Sequence, residues 1–373
     1  MRARDQIADA IDFDMIFLVT TLMLLVMGSI MIFSSSYFLS KETWGNSTIM
    51  IRNHLVRLAV GLAIMAGLIR IDYRRFNTRA FVLPLLAAGL VTCILCFVPG
   101  IGIEGGHAKR WVRLVFVTVQ ASEIVKISLI FYLAYYLSKK SRNIEDFTNG
   151  ALPVLGVVCV NALLIFIEPD FGTTATLAIW SLVILFIAGM RWKHLLFIIL
   201  GGIPLGIGML LLEPYRRARL LTFLNPWEDM QGMGYQIIQS MVAFANGGFL
   251  GSGLGEGTQK LFFLPAPHTD FIFAVLGEEL GFIGVIFVVC LFGIWIWRGI
   301  TIALATNDSF GFYLAMSAVT LVGLQAILNM GVTLSIFPNK GIPLPFFSYG
   351  GSSLLGVLVV SGIVLSVSRG ARI

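Results

Sequence analysis

Residues 261–281 read LFFLPAPHTDFIFAVLGEELG, and this stretch decides the fold. Pro265 and Pro267 bracket a polar step, His268-Thr269-Asp270, and the chain then enters an apolar run that continues to about residue 297. A run of that length is what an α-helix needs to cross the hydrocarbon of a bilayer. Asp270 therefore falls where water meets membrane, and Glu278 and Glu279 follow inside the apolar run. Ionisable groups at such depth cost about 2.5–3.5 kcal/mol each on insertion scales, so they mark function by default.

Working outward, the whole chain has this character. It is 57% hydrophobic and 12% charged over 373 residues, with a mean hydropathy of +0.90. Soluble chains carry about 25% charged residues. Ten apolar runs stand out, at about 15–37, 54–71, 81–98, 119–138, 151–168, 173–190, 194–212, 271–297, 310–334 and 349–368. A transmembrane β-barrel would show alternating segments of about 10 residues instead. The expected fold is an all-α polytopic membrane protein of about ten transmembrane helices, one unit over residues 1–373. A large loop at 213–270 separates helices seven and eight.

An even number of spans puts both termini on one side. With that side cytoplasmic, its connections hold Arg2, Arg4, Arg70, Arg74, Arg75, Arg79, Lys139, Lys140, Arg142, Arg191, Lys193, Arg298, Arg369 and Arg372, fourteen of the 26 basic residues. That is the orientation the positive-inside rule favours. The opposite, extracytoplasmic side then owns the polar motifs: 99–118, EPDFG at 168–172, the 213–270 loop, and NKGIPLPFFSYGG at 339–351.

Several function classes drop out. The net charge of +6 is scattered through short loops, with no basic stripe for a nucleic acid backbone. The four cysteines sit in apolar runs and read as small hydrophobes, Cys93 and Cys96 included. The glycine-rich 247–257 segment lacks P-loop spacing and reads as a hinge. Within the large loop, 234–248 has apolar residues at helical spacing. It reads as a short amphipathic helix, at the membrane interface or packed on the bundle top.

The candidate site is built from this outer face. Asp270 fits the N-cap of the helix that follows, and it also suits a general base that takes a proton from a sugar hydroxyl. His268 and Thr269 add polar groups beside it. Glu123 and Lys126 are three apart on one helical face and can pair; the pair either fixes helix packing or presents Lys126 to an anion. Arg110 and the Arg216–Arg219 group suit a diphosphate, because guanidinium forks match phosphate oxygens. Arg217 reads instead as a lipid-headgroup anchor. Glu278 reads as a structural partner for a neighbouring helix.

Taken together, KRWVRL…QASEIVK (109–126), EPDFGT (168–173), NPWED…GYQIIQS (225–240), PAPHTDFIFAVLGEELG (265–281) and NKGIPLPFFSYGGSSL (339–354) resemble the SEDS family of bacterial FtsW/RodA proteins. The resemblance covers essentially the whole chain. It implies a peptidoglycan glycosyltransferase acting on lipid II, the undecaprenyl-diphosphate-linked disaccharide-pentapeptide. The family's catalytic aspartate falls on Asp270, and its Glu/Lys pair on Glu123 and Lys126. Ser348, in SYGG, joins the substrate-side residues. The implied partners are a class B penicillin-binding protein and other divisome membrane proteins, and the motifs lean toward the division branch over the elongation branch. A divalent cation, magnesium or manganese, is compatible with the carboxylates, although no ligand spacing calls for one. Two departures stand out: Ala121 where the family has Pro, and Glu168 where it has Gln. A lipid II flippase and a divisome scaffold are the rival readings.

Overall fold

The computed structural model describes residues 13–105, 108–114, 117–140, 144–212, 214–232, 234–261, 263–338 and 341–371. Its helices run α1 (Met15–Trp44), α2 (Ile49–Arg70), α3 (Arg79–Leu95), α4 (Ala121–Lys140), α5 (Leu152–Ile167) and α6 (Phe171–Ile187). They continue as α7 (Trp192–Leu212), α8 (Pro214–Leu224), α9 (Tyr235–Gly247), α10 (Ile272–Ala305), α11 (Ser309–Thr333) and α12 (Gly351–Ser368). Each of the ten expected spans meets one helix; α8 and α9 lie in the 213–270 loop. Among the described residues, seven helical stretches are long and apolar enough to cross a membrane, and α3, α6 and most of α7 are shorter apolar helices.

The starts of these helices are written locally. The Asp14 carboxylate accepts from the Phe17 N–H at 2.8 Å, Asp170 caps α6 through Thr173, and Asp308 caps α11 through Gly311. Each satisfies a backbone donor that the first turn cannot. The two ends of the described chain lie together, consistent with an even span count: Asp14 pairs with Arg298, its N–H donates to Ser368, and Thr306 bridges Ala371. Arg74 with Asp308 and Arg191 with Glu145 belong to connections of the same parity. The centre of the bundle is α4, α11 and α12, whose residues are mostly buried, whereas α7 has no buried residue among those described.

Two features add to the expected fold and a third decides between its alternatives. The all-α expectation misses a small antiparallel meander, β1 (Gly102–Gly105), β2 (Ala108–Leu114) and β3 (Val117–Gln120), which leads into α4. Its signal was the β-branched run VRLVFVTVQ, which favours a pleated, half-buried surface. The arginine-rich stretch after α7 is helical, as α8. Third, α9 packs against α10: a β-carbon on Gly247 would stand 2.0 Å from the Gly277 carbonyl. The α9 side of that contact is Ile237, Ile238, Ser240 and Ala243, all buried. The bundle-packed reading of 234–248 is the one realised.

The decisive helix is broken. From Phe271 to Glu279 every residue is buried, and at Gly281 the backbone leaves helical space, with φ 65° and ψ −165°. Breaking an α-helix frees backbone groups that lipid cannot satisfy. Here the glycine-rich loop satisfies them: the N–H groups of Ser252 and Gly253 donate to the carbonyls of Glu278 and Glu279, and those of Phe282 and Ile283 donate to Gly248 and Phe249. The two glutamates complete the arrangement. Glu278 accepts from the Thr258 and Gln259 N–H groups; Glu279 accepts from Ser34, Gly255 and Lys260. Glu278 is thus held by the loop at Thr258 and Gln259 and not by a neighbouring helix as expected; it is Glu279 that meets another helix, at Ser34 of α1.

A β-carbon at Gly281 would stand 2.3 Å from the Gly251 nitrogen. With the left-handed φ added, Gly281→Ala should cost on the order of 1–3 kcal/mol. The measurement is thermal unfolding in detergent, where a variant melting with the wild type would contradict the strain.

Candidate active site

Asp270 sits at the mouth of the buried half of α10, and a loop on the same face encloses it. The PAPHTD turn docks on residues 341–350: the Tyr349 N–H donates to the His268 carbonyl (2.8 Å), and the Ser348 hydroxyl donates to the Thr269 carbonyl (2.8 Å). The same Ser348 oxygen accepts from the Leu344 N–H (2.7 Å). From below, the Asn329 amide on α11 donates to the Asp270 and Ile342 carbonyls. Asn329 thus holds the two loops together through their backbones and leaves the carboxylate of Asp270 to other uses. Gly341 has φ +61°, and a β-carbon there would lie 3.3 Å from the Asp270 Oδ2.

The capping expectation for Asp270 is overturned. The N-cap of α10 is Phe271, and no side chain caps it. Asp270 belongs to the turn before the helix, one residue too early to cap.

Charges converge on the carboxylate from three directions. Burial pushes the Asp270 carboxyl up to about 6, the negative charge of Asp170 adds to that, and Arg110 and Arg219 act against it. Arg110 is aimed by the meander. On a strand, alternate residues share a face, so Arg110 shares one with Val112, which is 1% exposed, while Lys109 and Arg113 are exposed. Its guanidinium then reaches the turn between α5 and α6, with Nη2 donating to the Pro169 carbonyl at 2.6 Å. Asp170 follows directly, its carboxylate spent on the N–H and hydroxyl of Thr173. Burial also pushes His268 down, which keeps its imidazole neutral.

The sequence-predicted residues do not all gather here. Arg110, His268, Thr269 and Ser348 do, through the contacts above. Glu123 and Lys126 form a buried pair at 2.7 Å, lining a small cavity with Gln325, Pro345 and Ser353, and Lys126 is not among the charges felt at Asp270. The side chain of Arg216 lies outside the described residues, and Arg219, one turn on, is the group that acts on Asp270. Asp170 was missed because EPDFG reads as a helix-breaking turn; the only available signal was a carboxylate on the outer face. Glu168 is fully buried beside Cys93 and Cys96, and Arg110 contacts its carbonyl. Among the described residues, no group of three or more His, Cys, Asp or Glu is placed to hold a metal ion.

The chain has counterparts among known proteins in sequence and in fold. The chain is 40% identical over 356 residues to the probable peptidoglycan glycosyltransferase FtsW of Geobacter metallireducens, covering 95% of this chain and 94% of that one. It is 39% identical over 359 residues to the stage V sporulation protein E of Bacillus subtilis, covering 96% and 98%. Among solved structures it superimposes on a chain of a peptidoglycan synthase complex that coordinates polymerization and crosslinking. The TM-score is 0.78 at 30% identity, covering 96% of this chain and 98% of that one. It shares the fold of the rod shape determining protein RodA of Thermus thermophilus, with a TM-score of 0.68 at 24% identity and coverage of 97% and 98%. The family model for FtsW, RodA and SpoVE, described as cell cycle protein, matches residues 14–373, and the chain belongs to that family of multi-pass membrane proteins.

Proposed function

We propose that this chain is a peptidoglycan glycosyltransferase that polymerises lipid II into glycan strands during septal wall synthesis. The observation that carries the reading is Asp270: a carboxylate with a raised proton affinity, opposed by two arginines, at the entrance to α10, whose first residues, up to Glu279, are all buried. The relatives named as probable peptidoglycan glycosyltransferases support it. The face that carries Asp270 is extracytoplasmic, in keeping with the basic residues of the opposite connections. A class B penicillin-binding protein is the partner, a pairing supported by the likeness to a peptidoglycan synthase complex.

In this mechanism Asp270 takes the proton of the 4-hydroxyl of an acceptor sugar. That oxygen forms a bond to the anomeric carbon of a donor, the bond from that carbon to the lipid diphosphate breaks, and its electron pair leaves with the diphosphate. Arg110 and Arg219 balance the charge that develops on the departing oxygen, the kind of fixed electrostatic support that dominates such barriers. The diphosphate is already a good leaving group, so positioning and charge are the protein's main contributions.

Activity should follow the ionisation of the base. Below about pH 6 Asp270 is protonated and cannot accept a proton; above it the carboxylate is free to act, so kcat/KM should rise with pH through 6. Asp170→Asn removes a negative charge that raises this value, so the acid limb should move to lower pH. The pH–rate profiles of the two proteins check both statements.

The rival reading, translocation of lipid II, draws on the broken helix α10, since interrupted helices line many transporter sites. Yet Glu278, Glu279 and Lys126 are all engaged within the protein, as shown above, which leaves none of them as a carrier site. Product analysis separates the two readings. Polymerisation releases one undecaprenyl diphosphate per bond formed, whereas translocation in vesicles releases none.

A further inference from the structure

One guanidinium in the bundle meets no anion among the described residues. Arg57 stands in the first half of α2, half-buried, and is the only ionisable residue between Leu55 and Ile69. Its Cζ lies 5.4 Å from the centre of the Tyr349 ring, and its Nε would stand 3.1 Å from a β-carbon on Gly351. Among the described residues no carboxylate, carbonyl or hydroxyl accepts from it. His54, one turn earlier, is already engaged with Ser29 at 3.2 Å.

The contact with the Tyr349 ring takes up none of the guanidinium's hydrogen-bond donors on an acceptor among the described residues. The five N–H donors lie in the plane of the group and remain available. A cation left in this state on an apolar helix is costly unless a ligand meets it, and a planar fork of donors fits the oxygens of a phosphate. The location is specific. The Tyr349 N–H donates to the His268 carbonyl and its ring lies 5.9 Å from the His268 ring, so Arg57 joins the loop that carries Asp270. Arg57 is not among the charges felt at Asp270 itself, where Arg110 and Arg219 act.

The reaction proposed above brings two lipid-linked diphosphates to one carboxylate. One departs, and Arg110 and Arg219 serve it; the other stays attached to the acceptor. We propose that Arg57 binds the diphosphate of the acceptor lipid, holding that substrate on the Tyr349 side of Asp270. The inference rests on the glycosyltransferase reading for the identity of its ligand. The shared chemistry is a phosphate oxyanion, which a membrane phospholipid could also supply.

The test uses the complex with its penicillin-binding partner, in phosphatidylcholine or phosphatidylglycerol vesicles, with wild type, Arg57→Gln and Arg57→Lys. Losing a bidentate phosphate contact should raise the KM for lipid II about tenfold in Arg57→Gln, with a smaller change in kcat. Arg57→Lys should fall between, since an ammonium restores the charge but not the fork. A second arm needs no turnover: retention of lipid II by native mass spectrometry, in an Asp270→Asn, Arg110→Gln, Arg219→Gln background that removes the arginines of the departing diphosphate, should drop by a similar factor in Arg57→Gln. Unchanged KM and retention would overturn the proposal. So would an unchanged KM with a melting temperature lowered only in phosphatidylglycerol, which would make the ligand a membrane lipid. If the wild type forms no strands, the glycosyltransferase reading fails, while the retention arm still decides whether Arg57 holds a diphosphate.

Discussion

Asp270→Asn should abolish strand formation from lipid II, lowering kcat by about 10²–10⁴-fold, the usual contribution of a general base. The protein should still fold. Asparagine has the shape of aspartate, the Asp270 carboxylate caps nothing, and Asn329 holds the backbone carbonyl at this position. A melting temperature close to wild type, together with lost polymerisation, would separate a chemical defect from a structural one. Loss of both would mean that the carboxylate has a packing role that the present geometry does not give it.

Lys260→Met should be the most destabilising of the charge removals. Lys260 and Glu279 pair at 2.6 Å with side chains 2% and 0% exposed, and the ammonium also reaches Ser34 and the Gly255 carbonyl. Taking away one member of such a pair strands the other charge, at a typical cost of about 3–5 kcal/mol. The damage should reach the site, because this network pins the glycine-rich loop over the break in α10. Lys260→Met combined with Glu279→Leu should recover part of the loss, since neither member of the pair is then left without its partner. Thermal unfolding of the two single variants and the double variant measures the coupling; strictly additive losses would show that the pair does not act as a unit.

Much of the fold is legible in the sequence because bilayer thickness imposes one simple rule on every span. The apolar runs, the shared side of the termini and the helix at 235–247 follow from length and periodicity. The break at Gly281 does not, since a glycine after LGEEL reads equally well as helix interior. Only the loop contacts of Glu278 and Glu279 show why the chain turns there. The meander escaped because Lys109, Arg110 and Arg113 drew attention as charges, while the alternation that aims Arg110 inward lay in the valines around them.

The site was legible in part for a related reason. Asp270 declares itself by charge at a membrane boundary, and Arg110 by charge on the outer face. Asp170 and Arg219 reach the same carboxylate from segments about 100 and 51 residues away in sequence, proximities that no local pattern encodes. Lys126 illustrates the reverse: its spacing from Glu123 was correct, and the pair it predicted satisfies itself away from Asp270. Lys260 carried no motif at all and became visible only through its burial against Glu279.

The measurement that tests the account most directly is the length of glycan formed from fluorescent lipid II by the purified complex, with the partner's transpeptidase blocked and no other polymerase present. Wild type should give a ladder of strands, and Asp270→Asn, at equal amount and equal melting temperature, should leave the lipid II unreacted. A ladder of the same length and yield from Asp270→Asn, or none from the wild type, would contradict it.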